Sequence, residues 1–432
     1  MFKTVKNIWH VKELRNRILF TLFIFIIYRI GTFVPVPGVN KDVFNTTNNA
    51  GSELFGLLST FSGGALKNFS IFALGIMPYI TSSIIVQLLS MDVIPKLAEW
   101  AKQGEQGKKK SAQLTRYGTV ILGLIQSFAM AIGFNRLYGT EMVPNATFVD
   151  YLLIAIVLTA GTSFLMWLGE QITEKGIGNG ISIIIFAGIV AAIPQHIQAV
   201  AKSDFIKDGQ PFYNTMKTVI ILIICVLIVV GVVYIQQAIR KIPVQYAKRV
   251  VGNKMYGGQN THIPLKINAA GVIPVIFAVS LLQFPVIIAN FWSTHTWAKW
   301  ITTHLRTSDP LGIVLYVIMI IGFTFFYTFV QMNPTQMADQ MKKNGGYIPG
   351  IRPGKTTEKY LVRVMSRLTM TGAIFLAAVS ILPVVFGALA GLPQSVQIGG
   401  TSLLIVIGVA LDTMKQIESQ LIKRHYKGFI KK

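Results

Sequence analysis

Charged residues and cysteine are scarce in this sequence of 432 residues. Only 13% of its residues are Asp, Glu, Lys or Arg, whereas a soluble domain carries about a quarter. The single cysteine, Cys225, excludes an internal disulfide and a cysteine metal site. The histidines lack metal-ligand spacing, and no Ser/His/acid set or complete phosphate-binding loop occurs. These absences argue against an enzyme and predict no cofactor and no bound metal.

Apolar residues fill the sequence instead and make up 52% of it. They form long runs rather than helical stripes, and runs near 20 residues are long enough to cross a hydrocarbon core about 30 Å thick. We therefore predict ten transmembrane helices. The runs are Ile18–Val34, Ser70–Leu89, Tyr117–Leu137, Tyr151–Leu168, Ile181–Ile197, Thr218–Ile235, Ala269–Ile288, Leu311–Val330, Leu368–Ala388 and Ile398–Met414.

The net charge of +23 is unevenly distributed along the chain. With the N-terminus inside and ten alternating spans, 31 of the 40 Lys and Arg residues fall on the inner side. This bias sets the topology of membrane proteins, so we expect both termini in the cytoplasm. The positive charge suits contact with anionic lipids, and a docking surface for a ribosome or another large partner is a second interpretation. We expect no direct sequence-specific binding of nucleic acid.

Two short patterns each occur twice inside apolar segments, once in each half of the chain and in the same order; a further copy of the first, Gly346–Ile351, lies in a polar loop. Pattern A is Gly-x-x-Pro-x-Ile, and pattern B is Gly-x-Ser-x-x-Ile. The isoleucines that end the four copies are Ile80, Ile185, Ile276 and Ile405. Five spans per half means that the second half inserts upside down, which is the inverted-repeat architecture of many transport proteins. We therefore predict two related halves, residues 1–200 and 201–432.

Two features of the sequence do not fit a simple series of straight transmembrane helices. Pro78 and Pro274 lie inside the second and seventh runs, where each proline is expected to kink its helix. Between the first two spans, Leu54–Leu66 is apolar but too short to cross a membrane. This segment either lies on the outer surface or folds back into a central cavity as a stopper. Gly63 and Gly64 would allow the chain to bend there.

Charge inside the predicted spans is also scarce. Ion-coupled transporters usually need buried ionisable residues, and the third, sixth and seventh spans have none at mid-depth. A constriction of isoleucines suits a polypeptide channel, because apolar side chains seal by dewetting and impose no fixed hydrogen bonds on a passing chain. A secondary transporter with inverted repeats is the alternative, and a membrane enzyme is the third hypothesis.

Several long stretches of the chain resemble the SecY family, the main subunit of the bacterial protein-conducting channel. The stretches follow one another in order over nearly the whole chain. They are Ile71–Leu89, Leu165–Val190, Thr261–Phe277, Tyr347–Gly354 and Gly399–Ile405. The resemblance implies an all-α membrane protein of ten helices, arranged as a clamshell of two inverted five-helix halves around an hourglass pore. It also implies a bacterial cell membrane, passage of unfolded secretory chains, and sideways release of membrane-protein helices into lipid.

The resemblance further implies which residues form each part of such a channel. The pore ring would be Ile76, Ile80, Ile181, Ile185, Ile276 and Ile405. The plug would be residues 54–66, with Leu54, Phe55, Leu57, Leu58, Phe61, Gly63 and Gly64. A lateral gate would open between spans 2–3 and spans 7–8. Polar candidates near this gate are Thr81, Ser82, Ser83, Gln87 and Asn268.

Two inner loops, residues 236–268 and 331–367, resemble the family's docking arms for the ribosome and a SecA-type ATPase motor. The basic candidates there are Arg240, Lys248, Arg249, Lys254 and Arg352. The resemblance also implies a small SecE-type helix that clamps the halves, and a SecG-type subunit. The pore itself would be passive, and the motor or a translating ribosome would drive nascent secretory and membrane-protein chains through it.

Overall fold

The computed structural model describes residues 11–40, 59, 62–90, 94–137, 142–143, 147–206, 211–246, 249–251, 254–256, 260–289, 292, 295–305, 309–390 and 399–428. These residues are mostly helical. The helices are α1 (Lys12–Gly31), α2 (Met77–Leu89), α3 (Pro95–Lys102), α4 (Glu105–Leu137), α5 (Phe148–Lys175), α6 (Gly180–Ile206), α7 (Pro211–Gln237), α8 (Ile273–Ala289), α9 (Thr296–His304), α10 (Pro310–Gln331), α11 (Pro334–Lys343), α12 (Lys355–Ala390) and α13 (Gly399–Gly428). The strands are β1 (Ile239–Tyr246), β2 (Arg249–Val251), β3 (Lys254–Tyr256), β4 (Asn260–Lys266) and β5 (Gly346–Tyr347).

Each of the ten predicted runs overlaps a helix, although residues 70–76 and 269–272 precede α2 and α8 and are not helical. Within the described part of the chain, four helices are long and apolar enough to cross a membrane by length and composition. They are Glu105–Asn135, Phe148–Lys175, Pro310–Lys343 and Lys355–Leu382. Four further helices are apolar but shorter. They are Met77–Leu89, Gly180–Pro194, Leu222–Gln237 and Ile273–Ala289. Together these helices indicate a protein that crosses a membrane several times.

Both prolines of pattern A lie at the start of a helix. The residues before α2 form turns, and Gly75 has φ of 60° there, so Pro78 falls in the first turn of α2. Gly271 has φ of 65°, and Pro274 is the second residue of α8. The expected kinks at the two prolines are therefore wrong. A proline in the first helical turn costs no hydrogen bond, because the N–H groups there have no partner within the helix.

The helices form two groups that meet along two seams. In the first half α2, α4 and α5 pack together, and in the second half α8, α10, α12 and α13 pack in succession. Along one seam α8 contacts α2 and α4, and along the other α13 contacts α6. One apolar cluster, with buried residues from both halves, fills the space between the seams. The interior of the protein is thus an interface between its two halves.

A small sheet joins the two inner loops that the sequence presents as separate arms. Its strand order is β4-β1-β5, and both pairings are antiparallel, with Ile242 opposite Ile263 and Tyr246 opposite Gly346. β2 and β3 form a separate hairpin. Ile242 and Val244 point inward, and they share a core with residues of α11 and α12. The sheet adds β structure to a fold that we expected to be all-α.

Candidate functional site

Five of the six isoleucines predicted for the ring are buried in the apolar cluster between the halves. Their side chains are at most 5% exposed, and Ile405 is fully buried. The sixth, Ile181, is partly buried and packs against the same cluster. The structure thus brings together residues that are more than 300 positions apart in the chain. Such a closed apolar cluster excludes water and ions without any charged group.

The four copies of the two patterns are all beginnings of helices. α6 begins at Gly180, the first residue of pattern B, and α13 begins at Gly399, one residue before its second copy. Each pattern therefore delivers its final isoleucine within the first two turns of a helix. Because a helix start fixes the direction of its first side chains, the patterns set where the isoleucines meet.

A polar cavity of about 550 Å³ lies next to this cluster. Residues at the starts of α6 and α8 and along α13 form its wall. The polar side chains that line it include Asn179, Ser182, Asn268, Asp412 and Lys415. Ser182 directly follows Ile181 of the predicted ring. A cavity with a partly polar wall thus borders the apolar cluster.

The predicted plug is only partly described. Leu54, Phe55, Leu57, Leu58 and Phe61 lie outside the described residues.

The described end of this segment is folded into the protein. Ser62 is buried, and a Cβ atom placed on Gly75 would lie 3.7 Å from the Cα of Ser62. Gly63 and Gly64 have φ of 65° and 85°, a backbone conformation that favours glycine. Ser62 therefore lies close to Gly75, the residue that precedes Ile76 of the predicted ring in the chain. This position favours a stopper that folds back inside over a helix on the outer surface.

Four of the five gate candidates lie on α2. Thr81 donates to the carbonyl of Met77 in its own helix, and Ser82 donates 2.8 Å to the carbonyl of Thr115 on α4. Ser83 accepts a hydrogen bond from the side chain of Gln87.

The fifth gate candidate, Asn268, precedes α8 and donates to the carbonyl of Gly271. These side chains therefore hold α2, α4 and the start of α8 in place, and Asn268 also lines the polar cavity. None of the five hydrogen-bonds across the α2–α8 seam in the part of the chain that the structure describes.

The docking candidates lie on or beside the small sheet. Arg240 is exposed on β1, and Arg352 is exposed in the turn that precedes α12. Arg249 and Lys254 begin β2 and β3, the two strands of the hairpin. Lys248 lies outside the described residues.

The two loops are joined by their backbones and by side chains. Tyr347 of β5 donates a hydrogen bond of 3.0 Å to the side-chain oxygen of Gln245 on β1. The core beneath includes Leu361 and Met365 of α12. Arg240 and Arg352, one from each loop, are thus presented by one folded unit.

The buried polar residues of the described chain are all Ser, Thr, Asn or Gln. No Asp, Glu, Lys, Arg or His is among the buried residues that the structure describes. No three His, Cys, Asp or Glu side chains in those regions come close enough to hold a metal ion.

A model of the SecY family matches residues 70–414, most of the chain. The chain belongs to the SecY family. Among curated relatives, the protein translocase subunit SecY of Halalkalibacterium halodurans is 58% identical over 433 residues and covers the whole of both chains. The subunit of the same name from Bacillus subtilis is 55% identical over 432 residues, again with full coverage of both.

Solved structures related to the SecY family share this fold at low sequence identity. The structure of a protein-conducting channel has a TM-score of 0.61 at 19% identity, and the match covers 94% of this chain and 92% of that one. A SecY structure concerned with its plug domain has a TM-score of 0.60 at 19% identity, with the same coverage of the two chains. Sec61 in the canine ribosome–channel complex has a TM-score of 0.57 at 16% identity, and the match covers 94% and 92% of the two chains.

Three buried polar residues on α4 and α8 were not predicted from the sequence. Ser280 and Gln283 are buried on α8, and Gln126 is buried on α4. Neither amide atom of Gln283 has a hydrogen-bond partner within the described residues. For two of them a signal was available, because α8 is the most apolar of the described helices and Ser280 and Gln283 are its only polar side chains. A lone polar residue in such a helix usually has a functional or packing reason.

Proposed function

We propose that the chain is the pore-forming subunit of a protein-conducting channel, through which unfolded secretory polypeptides cross the membrane and membrane-protein helices leave sideways. One observation carries this proposal. Isoleucines from both halves, all at helix starts, meet in one buried cluster beside a polar cavity of about 550 Å³. Its curated relatives are named protein translocase subunits, which supports the same function. The pore is passive and not an enzyme.

The proposed architecture is a clamshell of ten transmembrane helices in two inverted halves, residues 1–200 and 201–432. The two seams between the helix groups support it. The α2–α8 seam is the lateral gate, because α2 and α8 contact each other there and the matched motifs lie on both helices. The α6–α13 seam is the opposite, hinge side. The isoleucines named above form the ring, and residues 54–66 form the plug.

The basic inner loops dock a large cytoplasmic partner. Arg240 and Arg352 are exposed on a unit that projects from the helices, which supports binding of a ribosome or a SecA-type motor. Among related folds, Sec61 and a yeast Ssh1 complex are seen bound to ribosomes. Anionic lipids contact the same positively charged inner side, where both termini lie. The membrane is the bacterial cell membrane.

A SecE-type helix occupies an apolar groove on the hinge side. The groove has a volume of about 250 Å³, lies between α1, α6 and α13, and is lined mainly by apolar side chains. Its walls include Phe25, Phe186 and Val409. A single apolar helix that bridges α1 and α6 of one half to α13 of the other would clamp the two halves together. A SecG-type subunit is proposed on the resemblance alone.

A crosslinking experiment tests the proposal. A secretory chain stalled during translocation should crosslink to Ile276→Cys, because this position lies in the ring. Ile318→Cys on α10 is the matched control, since Ile318 is 60% exposed on the outside of the bundle. Crosslinks to the control but not to Ile276→Cys would refute the proposed path. A secondary transporter is the weaker alternative, because the described interior holds no buried charged residue.

A further inference from the structure

A short helix lies at the end of the α8–α10 pair that is farthest from the small sheet. β4 precedes α8 and β5 follows α10, so the sheet and both inner loops lie at one end of this pair. α9 (Thr296–His304) lies between α8 and α10 in the chain, and therefore at the other end. α10 has 22 residues and is about 33 Å long, enough to cross a hydrocarbon core about 30 Å thick. α9 thus lies about one membrane thickness away from the inner loops.

Tryptophan is concentrated at this end of the pair. Three of the six tryptophans of the chain occur here, and Trp292, Trp297 and Trp300 are 46%, 47% and 51% exposed. The rings of Trp292 and Trp297 pack together with their centroids 5.6 Å apart, and the ring centroids of Trp300 and His304 are 5.1 Å apart. Neighbouring apolar rings that stay half exposed mark a surface that contacts a partner or a membrane.

The side chains of α9 divide among three faces of the helix. Ala298 is fully buried, on the face that packs against the other helices. Trp297 and Trp300, three residues apart, share a second face, and the exposed Lys299 and Thr303, four residues apart, share a third. A short helix with one aromatic face and one polar face is typical of a segment that lies in the plane of the membrane surface, where tryptophan is enriched.

α9 is linked to both of the helices that it joins. It packs against α8 and, at its other end, against α10. The Nδ1 atom of His304, the last residue of α9, lies 3.4 Å from Oδ2 of Asp309, the residue that precedes α10. The depth at which α9 lies in the membrane therefore sets the depth of the adjoining ends of α8 and α10.

We propose that α9 is an interfacial anchor, which lies along the outer membrane surface with Trp297 and Trp300 among the phospholipid headgroups. The partner is a lipid surface rather than a protein, because α10, to which α9 is linked, also exposes apolar side chains near this end, at Leu311 and Val314. An indole ring suits this boundary, since its apolar body faces the acyl chains while its N–H reaches the polar headgroups. The anchor holds the outer end of α8 at headgroup depth. The inference rests on the membrane setting of the proposed function, not on the passage of a polypeptide.

Quenching of tryptophan fluorescence tests the anchor. The channel is purified with its copurifying small subunits, with phenylalanine at every tryptophan except Trp297. It is placed in phosphatidylcholine vesicles whose acyl chains carry bromine either near the headgroup or near the chain end. We expect Trp297 to lose most of its fluorescence with the shallow bromines, and little with the deep bromines or with iodide in the water.

Two single-tryptophan controls calibrate the depth. Lys299→Trp places the only indole on the polar face of the same helix, where iodide should quench it and the bromines should not. Ile318→Trp places it on the exposed outer face of α10, further from the end of that helix, where the deep bromines should quench it best. If the channel without its other tryptophans does not assemble, the quenching of Trp297 is read from the difference between wild type and Trp297→Phe.

Quenching of Trp297 by iodide but not by bromine would overturn the inference, because α9 would then lie in water. Protection from both quenchers would overturn it as well, and would place a small subunit or a second copy of the chain on this face. Iodide quenching together with a secretory chain crosslinked to Ile276→Cys refutes the anchor alone. Shallow bromine quenching without that crosslink refutes the channel and keeps the anchor.

Ion leak from proteoliposomes tests the effect on α8. The double variant Trp297→Ala and Trp300→Ala should leak severalfold more than wild type, because the outer end of α8 is no longer held at headgroup depth. Lys299→Ala is the matched control on the polar face and should not leak more than wild type. Equal leak in the double variant and in Lys299→Ala would show that α9 does not position α8.

Discussion

Ser280 on α8 places its hydroxyl 3.5 Å from the sulfur of Met77 on α2, and so joins the two halves beside the isoleucine cluster. The same hydroxyl lies 2.8 Å from the carbonyl of Ile276 one turn earlier. Ser280 and Met77 are both buried, with 4% and 7% of their surface exposed. The α2–α8 seam is therefore packed closely enough that side-chain volume at Ser280 decides how near the two helices lie.

Enlarging Ser280 should loosen this seam. We expect Ser280→Phe to lower the free energy of unfolding by about 1–3 kcal/mol, because a buried, well-packed site must shift to admit extra volume. The closed channel should also leak ions, since α2 and α8 carry Ile80 and Ile276. Ser280→Ala is the control and should stay near wild type, because α8 keeps its backbone bonds. If the Ser280→Phe channel neither leaks nor loses stability, α2 and α8 can separate without cost and the prediction is wrong.

The pair Ser82 and Gly118 offers a test of packing between α2 and α4. A methyl group at Gly118 would collide with the hydroxyl oxygen of Ser82, so Gly118→Ala should destabilise the protein. In Ser82→Ala that oxygen is gone, and the nearest remaining atom is the Cβ at 3.5 Å, an ordinary contact distance. We therefore expect Ser82→Ala to rescue Gly118→Ala, with a coupling energy of about 0.5–3 kcal/mol in thermal melts.

Ser82→Ala alone should cost little in this comparison. The carbonyl of Thr115, which loses the hydrogen bond from Ser82, still accepts one of 2.6 Å from Thr119. We therefore expect Ser82→Ala to lower the free energy of unfolding by about 0.5 kcal/mol, the lower end of the range for the loss of one hydrogen bond. Simple additivity of the two substitutions would contradict the predicted collision.

Truncation of the isoleucine cluster should open a path for ions. Ile405 is fully buried between the halves, and Ile405→Ala removes three carbons from the seal. We expect a measurable rise in ion leak from proteoliposomes and a loss of about 2–5 kcal/mol in stability. Ile318→Ala makes the same chemical change on the exposed face of α10 and should leave the leak unchanged. Equal leak in the two variants would remove Ile405 from the ring.

The two inner loops should lose order together when their shared core is damaged. Leu361 of α12 is fully buried in that core, and Leu361→Ala is expected to cost about 2–5 kcal/mol. Hydrogen exchange should then quicken in β1 and in β5 alike, because these strands pair with each other. Exchange in α5, which lies outside this core, should not change. Faster exchange in only one of the loops would show that they fold independently.

The positions of the spans and of the isoleucines were predictable from the sequence, because both depend on local patterns. Long apolar runs correctly located the helices, and the repeated patterns selected Ile80, Ile185, Ile276 and Ile405, which the structure brings into one cluster. The matched motifs supplied Ile76 and Ile181. The family assignment made from these motifs is confirmed by the match over residues 70–414.

The features that were missed depend on distant contacts. Whether Pro78 kinks a helix or begins one is decided by the turns before it, in which Phe72 stacks on Tyr28 of α1 and on Phe164 of α5. The small sheet was missed because its strands are short and pair with partners up to about a hundred residues away, as Gln245 does with Tyr347. The roles of Ser82 and Ser280 likewise follow from which helix lies opposite.

The sheet between the inner loops connects both loops to the start of α8. β4 ends at Lys266 and α8 begins only a few residues later, and the backbone N–H of Ile267 is bonded to the carbonyl of Ala238 beside β1. A force applied to either loop is therefore shared between the paired strands and reaches the start of α8, the helix that carries Ile276 and Ser280. In the proposed channel, this folded unit would act as a lever, through which a partner bound to the loops moves α8 without contacting the isoleucine cluster.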